Sequence, residues 1–80
     1  MSFMFEVLYK TPADSRREAV LSKRVEQFGG QLTYREEPEL AGVGPVCLTF
    51  EFNDFGIAHE VATILRAQGE HVEGPSDYDG

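Results

Sequence analysis

Three side chains of this sequence, Glu6, Glu51 and His71, could act as acids or bases on one surface. Each lies in or beside a stretch that alternates apolar and polar residues, which is typical of a β-strand with one buried face. A carboxylate or an imidazole can transfer a proton when it lies within hydrogen-bond reach of a reacting group. The pattern therefore allows a small enzyme with a pocket on a sheet face or between two subunits.

The single cysteine is a poor candidate for a nucleophile. Cys47 is the only cysteine, so no internal disulfide can form. A reactive thiol needs an adjacent base or a positive field. The same face of its strand offers Thr49 and Glu51 instead, and a nearby carboxylate raises the pKa of a thiol. We therefore expect Cys47 to be unreactive.

Metal and phosphate sites lack their usual spacing. His59-Glu60 has no second histidine four residues later, because Thr63 stands there. The two glycine clusters, at 29–30 and 42–44, do not connect a strand to a following helix as a phosphate-binding loop does. We interpret them as a helix end and a hairpin loop, and the sequence predicts no metal and no cofactor.

The start of the first predicted helix offers a different chemistry. Arg16 and Arg17 lie there beside the N–H groups of the first turn, which attract anions. A small anionic metabolite is therefore one ligand that the sequence allows. The alternative is that the long arginine stems only cover apolar surface.

Charge excludes several partners. The 80 residues contain 14 acids and 7 bases, for a net charge of −7. Nucleic acids and anionic membranes are bound through clustered lysine and arginine, so we expect neither as a partner. The first residues lack the basic start of a signal peptide, so we expect none, and no apolar run approaches the roughly 20 residues that a membrane span needs. With a lone cysteine, these features favour a soluble, cytoplasmic protein.

The hydrophobic pattern predicts six elements in the order β-α-β-β-α-β. Strands are expected at 3–10, 31–37 and 46–52, with a short one near 70–73 that Pro75 ends. Helices are expected near 12–28 and 54–68, the second capped by Asn53 or Asp54. The first cap could pair Thr11 with Asp14 or Ser15 with Glu18. Residues 1–75 then form one α+β domain, and residues 76–80 a disordered acidic tail.

This element order predicts a two-layer sandwich of the ferredoxin-like kind, with sheet order 4-1-3-2 and both helices on one face. The first and third strands are the most apolar, as central strands should be, and the other two carry the charges that protect sheet edges. Leu21, Val25 and Phe28 of the first helix should be buried, with Leu32 and Tyr34 from the second strand. The order resembles that of amino-acid-binding regulatory domains, in topology only.

The sheet face away from the helices is the predicted binding surface. Its apolar members, Met4 and Leu8, lie on a central strand, where a purely solvated face would carry polar residues. Arg35 is expected to pair with glutamates of this face or of a second copy, which suits a homodimer. The predicted contact residues are Met4, Glu6, Leu8, Arg35, Cys47, Thr49 and Glu51.

Two functions from different classes follow. The first is a small acidic, non-enzymatic interaction or regulatory module that contacts a protein partner or a second copy through this face. The alternative is the small enzyme described above, with its carboxylates or His71 as acid or base. Convergence of Glu6, Glu51 and His71 in one pocket would favour the enzyme.

Overall fold

The computed structural model describes residues 2–40 and 42–77. The elements, in chain order, are β1 (Phe3–Lys10), α1 (Ser15–Gln27), β2 (Gln31–Glu36), β3 (Pro45–Phe52), α2 (Phe55–Ala67) and β4 (His71–Asp77). The strands form one sheet in the order β2-β3-β1-β4, and all neighbours are antiparallel. The α+β class and the strand order predicted from the sequence are therefore confirmed.

One hydrophobic cluster joins both helices to one face of the sheet. Buried apolar residues alternate with more exposed ones along β1 and β3, so the apolar side chains of each strand point to the same side of the sheet. Apolar burial is the main stabilising term in a chain this small. The cluster consists of Phe5, Val7, Tyr9, Leu21, Val25, Val46, Leu48, Phe50, Phe52, Ala58, Val61, Ala62, Leu65 and Val72.

Helix α1 starts and ends differently from the sequence prediction. Its N-cap is Asp14, whose carboxylate accepts a hydrogen bond from the Arg17 backbone N–H at 3.0 Å, so neither Thr11 nor Ser15 fills that role. The helix ends at Gln27, and Phe28 is 41% exposed rather than buried. The prediction for Phe28 was wrong because the chain leaves the helical path at that residue.

A bulge in β2 overturns the predicted facing of its second half. Leu32 lies opposite Phe50, but the next register pair is Tyr34 with Thr49, so Thr33 is an extra residue. One extra residue exchanges the two faces for every side chain beyond it. Tyr34 therefore lies on the sheet face away from the helices, whereas Arg35, opposite Leu48, lies on the helix side.

Strand β4 is longer than predicted and continues through Pro75. The Arg66 guanidinium of α2 donates to the carbonyl oxygens of Val72 and Gly74, at 3.0 and 2.6 Å, and so satisfies backbone acceptors of this edge strand. Since β4 reaches Asp77, the first two residues of the predicted tail, Ser76 and Asp77, belong to the sheet. The rest of that tail lies outside the described residues.

Helix α2 follows the prediction closely. Asp54 is its N-cap and accepts from the Ile57 backbone N–H at 2.9 Å. Neither helix in residues 2–40 and 42–77 has the length and hydrophobicity of a membrane-spanning segment.

Candidate functional site

The open face is the side of the sheet that the two helices leave uncovered. Directly opposed residues of antiparallel strands project to the same face, so the register of the four strands defines its members. The open face consists of Met4, Glu6, Leu8, Lys10, Gln31, Thr33, Tyr34, Glu36, Pro45, Cys47, Thr49, Glu51, His71, Glu73 and Ser76.

A shallow groove crosses this face over the two central strands. Its volume is about 680 Å³, which lies within the range of small-ligand sites. All four strands contribute to its walls. The lining residues are Met4, Glu6, Thr33, Tyr34, Thr49, Glu51, Glu73, Gly74 and Ser76.

Two apolar side chains and one small residue at the centre of the open face are partly covered. Met4 and Leu8 are half-buried, and Thr49 is only 8% exposed although it points away from the core. The Thr33 hydroxyl lies 4.0 Å from the Met4 sulfur, so the bulge of β2 contacts central strand β1 across the open face. Longer side chains at Glu6 and Tyr34 flank Thr49 on the two neighbouring strands. The groove therefore has an apolar floor between polar walls.

Cys47 is held as a neutral thiol. Its Sγ donates to the Glu6 carboxylate at 3.2 Å. Burial, followed by the hydrogen bond and the charge of Glu6, raises the pKa of Cys47 to about 11. A thiol with this pKa is not a nucleophile at neutral pH. The expectation of an unreactive cysteine is supported, although Glu6 rather than Glu51 is the carboxylate beside it.

The three predicted acid–base residues do not converge. Glu6 and Glu51 both line the groove, whereas His71 lies opposite Leu8 on β4 and outside the lining. The His71 Nε2 is 3.4 Å from a Glu73 carboxylate oxygen, and both side chains are well exposed. The groove thus combines Glu6 and Glu51 with Glu73, a residue that the sequence analysis did not select.

Arg35 does not belong to the open face, and its predicted pairing with glutamates there was wrong. On the helix side its guanidinium donates to both carboxylate oxygens of Glu18, at 2.6 and 3.0 Å, and to Glu37 at 2.8 Å. These bonds raise its pKa above its usual value. The β2 bulge causes the error, because the alternation of QLTYRE gives no signal of an inserted residue.

The same bulge brings in two residues that the sequence analysis missed. Tyr34 was assigned to the core, but it is 59% exposed and lines the groove. Glu36 lies opposite Cys47 on the open face. Because the bulge moves Arg35 away and Glu36 in, the face is more acidic than strict alternation predicts.

The predicted anion site at the start of α1 already contains carboxylates. The Asp14 side chain caps the helix, and the Arg17 guanidinium binds Glu70 at 2.7 Å while lying 4.9 Å from the centre of the Tyr9 ring. Arg16 and Arg17 do line a cavity of about 370 Å³. Because Asp14 and Glu70 share that lining, charge gives an anionic metabolite limited support there.

Metal ligation finds no geometric support in residues 2–40 and 42–77, where no three His, Cys, Asp or Glu side chains are grouped to hold an ion.

Comparison of the chain with protein-family models, with curated proteins and with solved structures finds no match. The function is therefore inferred from the geometry of the open face.

Proposed function

We propose that this protein is a small acidic binding module, without catalytic activity of its own, that contacts a partner molecule through the open face. The observation that carries the proposal is the half-buried apolar pair of Met4 and Leu8 on central strand β1. Antiparallel sheets that face water on one side normally carry polar residues there. Apolar residues grouped at the middle of an uncovered sheet face are typical of a contact surface.

The shape of the face also supports binding. The groove beside Met4 is open enough to admit a side chain of another molecule, and Thr49 at its floor is small. Leu8 and Cys47 extend the less polar area toward the other end of β1. A partner could therefore contact most of one central strand at once.

We further propose that the fold belongs to the ferredoxin-like class and that the protein is cytoplasmic. The element order and the sheet order β2-β3-β1-β4 suit the ferredoxin-like class, whose members often use the uncovered sheet face for contacts. Cysteine content and composition suit the cytoplasm.

A carboxylate enzyme is the second candidate because Glu6 and Glu51 line the same groove. It receives less support than the binding module. Glu6 accepts the Cys47 thiol proton in a hydrogen bond, and His71 lies outside the groove. An activity that disappears in both Glu6→Gln and Glu51→Gln, with folding intact, would favour this candidate.

Backbone NMR of the labelled protein tests the binding module. Spectra are recorded over a range of protein concentrations and with short basic, acidic and aliphatic peptides. We expect at least one condition to shift the signals of Met4, Leu8 and Thr49. Leu8→Arg should abolish these shifts, because a long cation at the middle of the face prevents close approach.

The matched control is Val20→Arg. Val20 is also an apolar surface residue, 60% exposed, but lies on α1 away from the open face. It should leave the shifts unchanged. If the protein stays monomeric at high concentration and no peptide shifts the open-face signals, the proposed function is wrong.

A further inference from the structure

We infer that the partner of the open face is an arginine-bearing segment of another protein rather than a second copy of this chain. This inference rests on the proposed function and names the chemistry of its partner. It depends on three features of the face, namely its charge, the shape of its groove and the position of Tyr34.

The charge of the open face is strongly negative. Its strands carry Glu6, Glu36, Glu51 and Glu73 against one lysine, Lys10, and the exposed histidine His71. The one arginine that alternation assigns to this face, Arg35, is bound to Glu18 on the other side. A complementary partner must therefore be cationic.

The groove places acidic groups around an apolar floor. Glu6, Glu51 and Glu73 come from three different strands and line the groove together. Met4 and Thr49 lie between them, so a side chain that lies along the groove contacts apolar atoms at the floor and carboxylates at the walls. An arginine matches this arrangement, because its stem is apolar and its head is charged.

Tyr34 favours arginine over lysine. Tyr34 is 59% exposed and lines the groove, with its hydroxyl 3.5 Å from a Glu36 carboxylate oxygen. A planar guanidinium can stack on an aromatic ring and still donate two hydrogen bonds to one carboxylate. A lysine ammonium is a point charge and cannot make the same paired contact.

A second copy of this chain is a poor partner for the open face. In a two-fold contact each patch meets itself, so the four glutamates of one face would oppose those of the other. Lys10 is the only lysine or arginine among the described residues of the open face that could offset them, and it lies at the end of β1. Like charges opposed at an interface cost binding free energy, which disfavours the predicted homodimer through this face.

NMR titration of the intact protein with a short peptide of alternating arginine and glycine tests the inference. The control peptides replace each arginine by lysine, by glutamine or by glutamate. We expect the arginine peptide to shift the Met4, Tyr34 and Thr49 signals most strongly, and its affinity to fall as salt is raised above about 0.15 M. The lysine peptide should bind more weakly, and the other two should not bind.

Two groove variants and one matched control complete the test. Glu51→Gln and Glu73→Gln should each lower the affinity for the arginine peptide about threefold, which is the effect of losing one exposed ion pair. Glu60→Gln removes the same charge from the exposed surface of α2 and should leave the affinity unchanged. Circular dichroism of each variant verifies its fold.

The outcomes separate the inference from the proposed function. If the glutamate or an aliphatic peptide, or self-association, shifts the open-face signals, the arginine inference is overturned and the binding module remains. Equal binding of the arginine and lysine peptides, or equal weakening by Glu60→Gln, also overturns the inference. If no condition shifts these signals, both proposals fail.

Discussion

Replacing Glu18 by alanine should destabilise the fold more than the same change at Glu26, the other carboxylate of α1. The Glu18 side chain is only 12% exposed and accepts hydrogen bonds from the Tyr9 hydroxyl and from the Arg35 guanidinium. Tyr9 is 5% exposed, and burial is the first cause that raises its pKa, so its hydroxyl remains a donor. Glu18 thereby connects β1, α1 and β2.

The expected loss of unfolding free energy follows from the two groups that lose their acceptor in Glu18→Ala, the Tyr9 hydroxyl and the Arg35 guanidinium. Removing an acceptor from a buried donor costs about 1–3 kcal/mol, and Tyr9 is such a donor. The ion pair with Arg35 adds less, because the arginine is one-third exposed and screened by solvent. A loss of about 2 kcal/mol lowers the Tm of a domain this size by roughly 8–16 °C.

Urea unfolding at neutral pH, followed by circular dichroism, measures this loss. The matched control is Glu26→Ala, which removes the same charge from an exposed position of the same helix. It should change the free energy of unfolding by less than about 0.5 kcal/mol. If Glu18→Ala and Glu26→Ala unfold at the same urea concentration, the assignment of Glu18 as a structural connection is refuted.

The pH dependence gives an independent test of the same residue. The Arg35 hydrogen bond, as the largest cause, lowers the pKa of Glu18 below its ordinary value. A carboxyl with a lowered folded pKa stabilises the protein above its unfolded pKa of about 4.3, and this contribution is lost as pH falls through the folded pKa. Glu18→Gln should therefore lose less stability than the wild type on acidification, and equal losses would contradict this explanation.

Two further predictions concern the core and the thiol. Phe50 is fully buried, with its ring centre 5.8 Å from that of Phe5, so Phe50→Ala should cost about 3–5 kcal/mol of unfolding free energy. A melting temperature within about 2 °C of the wild type would show that this packing is wrong. Cys47, with a pKa of about 11, should react with iodoacetamide at neutral pH at least about 100-fold more slowly than it does in the urea-unfolded chain. Equal rates in the two states would contradict its protection by burial and by Glu6.

The strand order could be predicted because polarity separates central from edge strands. FMFEVLYK and PVCLTFEF each place four apolar residues on one side, and they are the two central strands. QLTYRE is exposed along its whole length, as an edge strand can be. The facing of β1 and β3 was right for the same reason, so Met4, Glu6, Leu8, Cys47, Thr49 and Glu51 all lie on the predicted face.

The facing of β2 beyond Thr33 could not be predicted in this way. A bulge depends on how one strand matches the twist of its neighbour, and this depends on tertiary contacts rather than on local alternation. In a strand that is exposed on both faces, hydrophobicity does not fix the register. Arg35 and Tyr34 therefore exchanged places between prediction and structure.

The bulge of β2 contributes to an uneven distribution of charge between the two sides of the sheet, because it places Arg35 on the helix side and Glu36 on the open face. The two halves of the sequence also differ in charge. Residues 1–35 contain six bases and four acids, and residues 36–80 contain one base and ten acids. Two of the bases, Arg17 and Arg35, bind Glu70 and Glu18 on the helix side. No such arginine reaches the carboxylates of the open face among the described residues. Among the described residues, Lys10 is the only lysine or arginine that offsets the four glutamates of this face, so a cationic partner can approach the groove without first displacing an arginine.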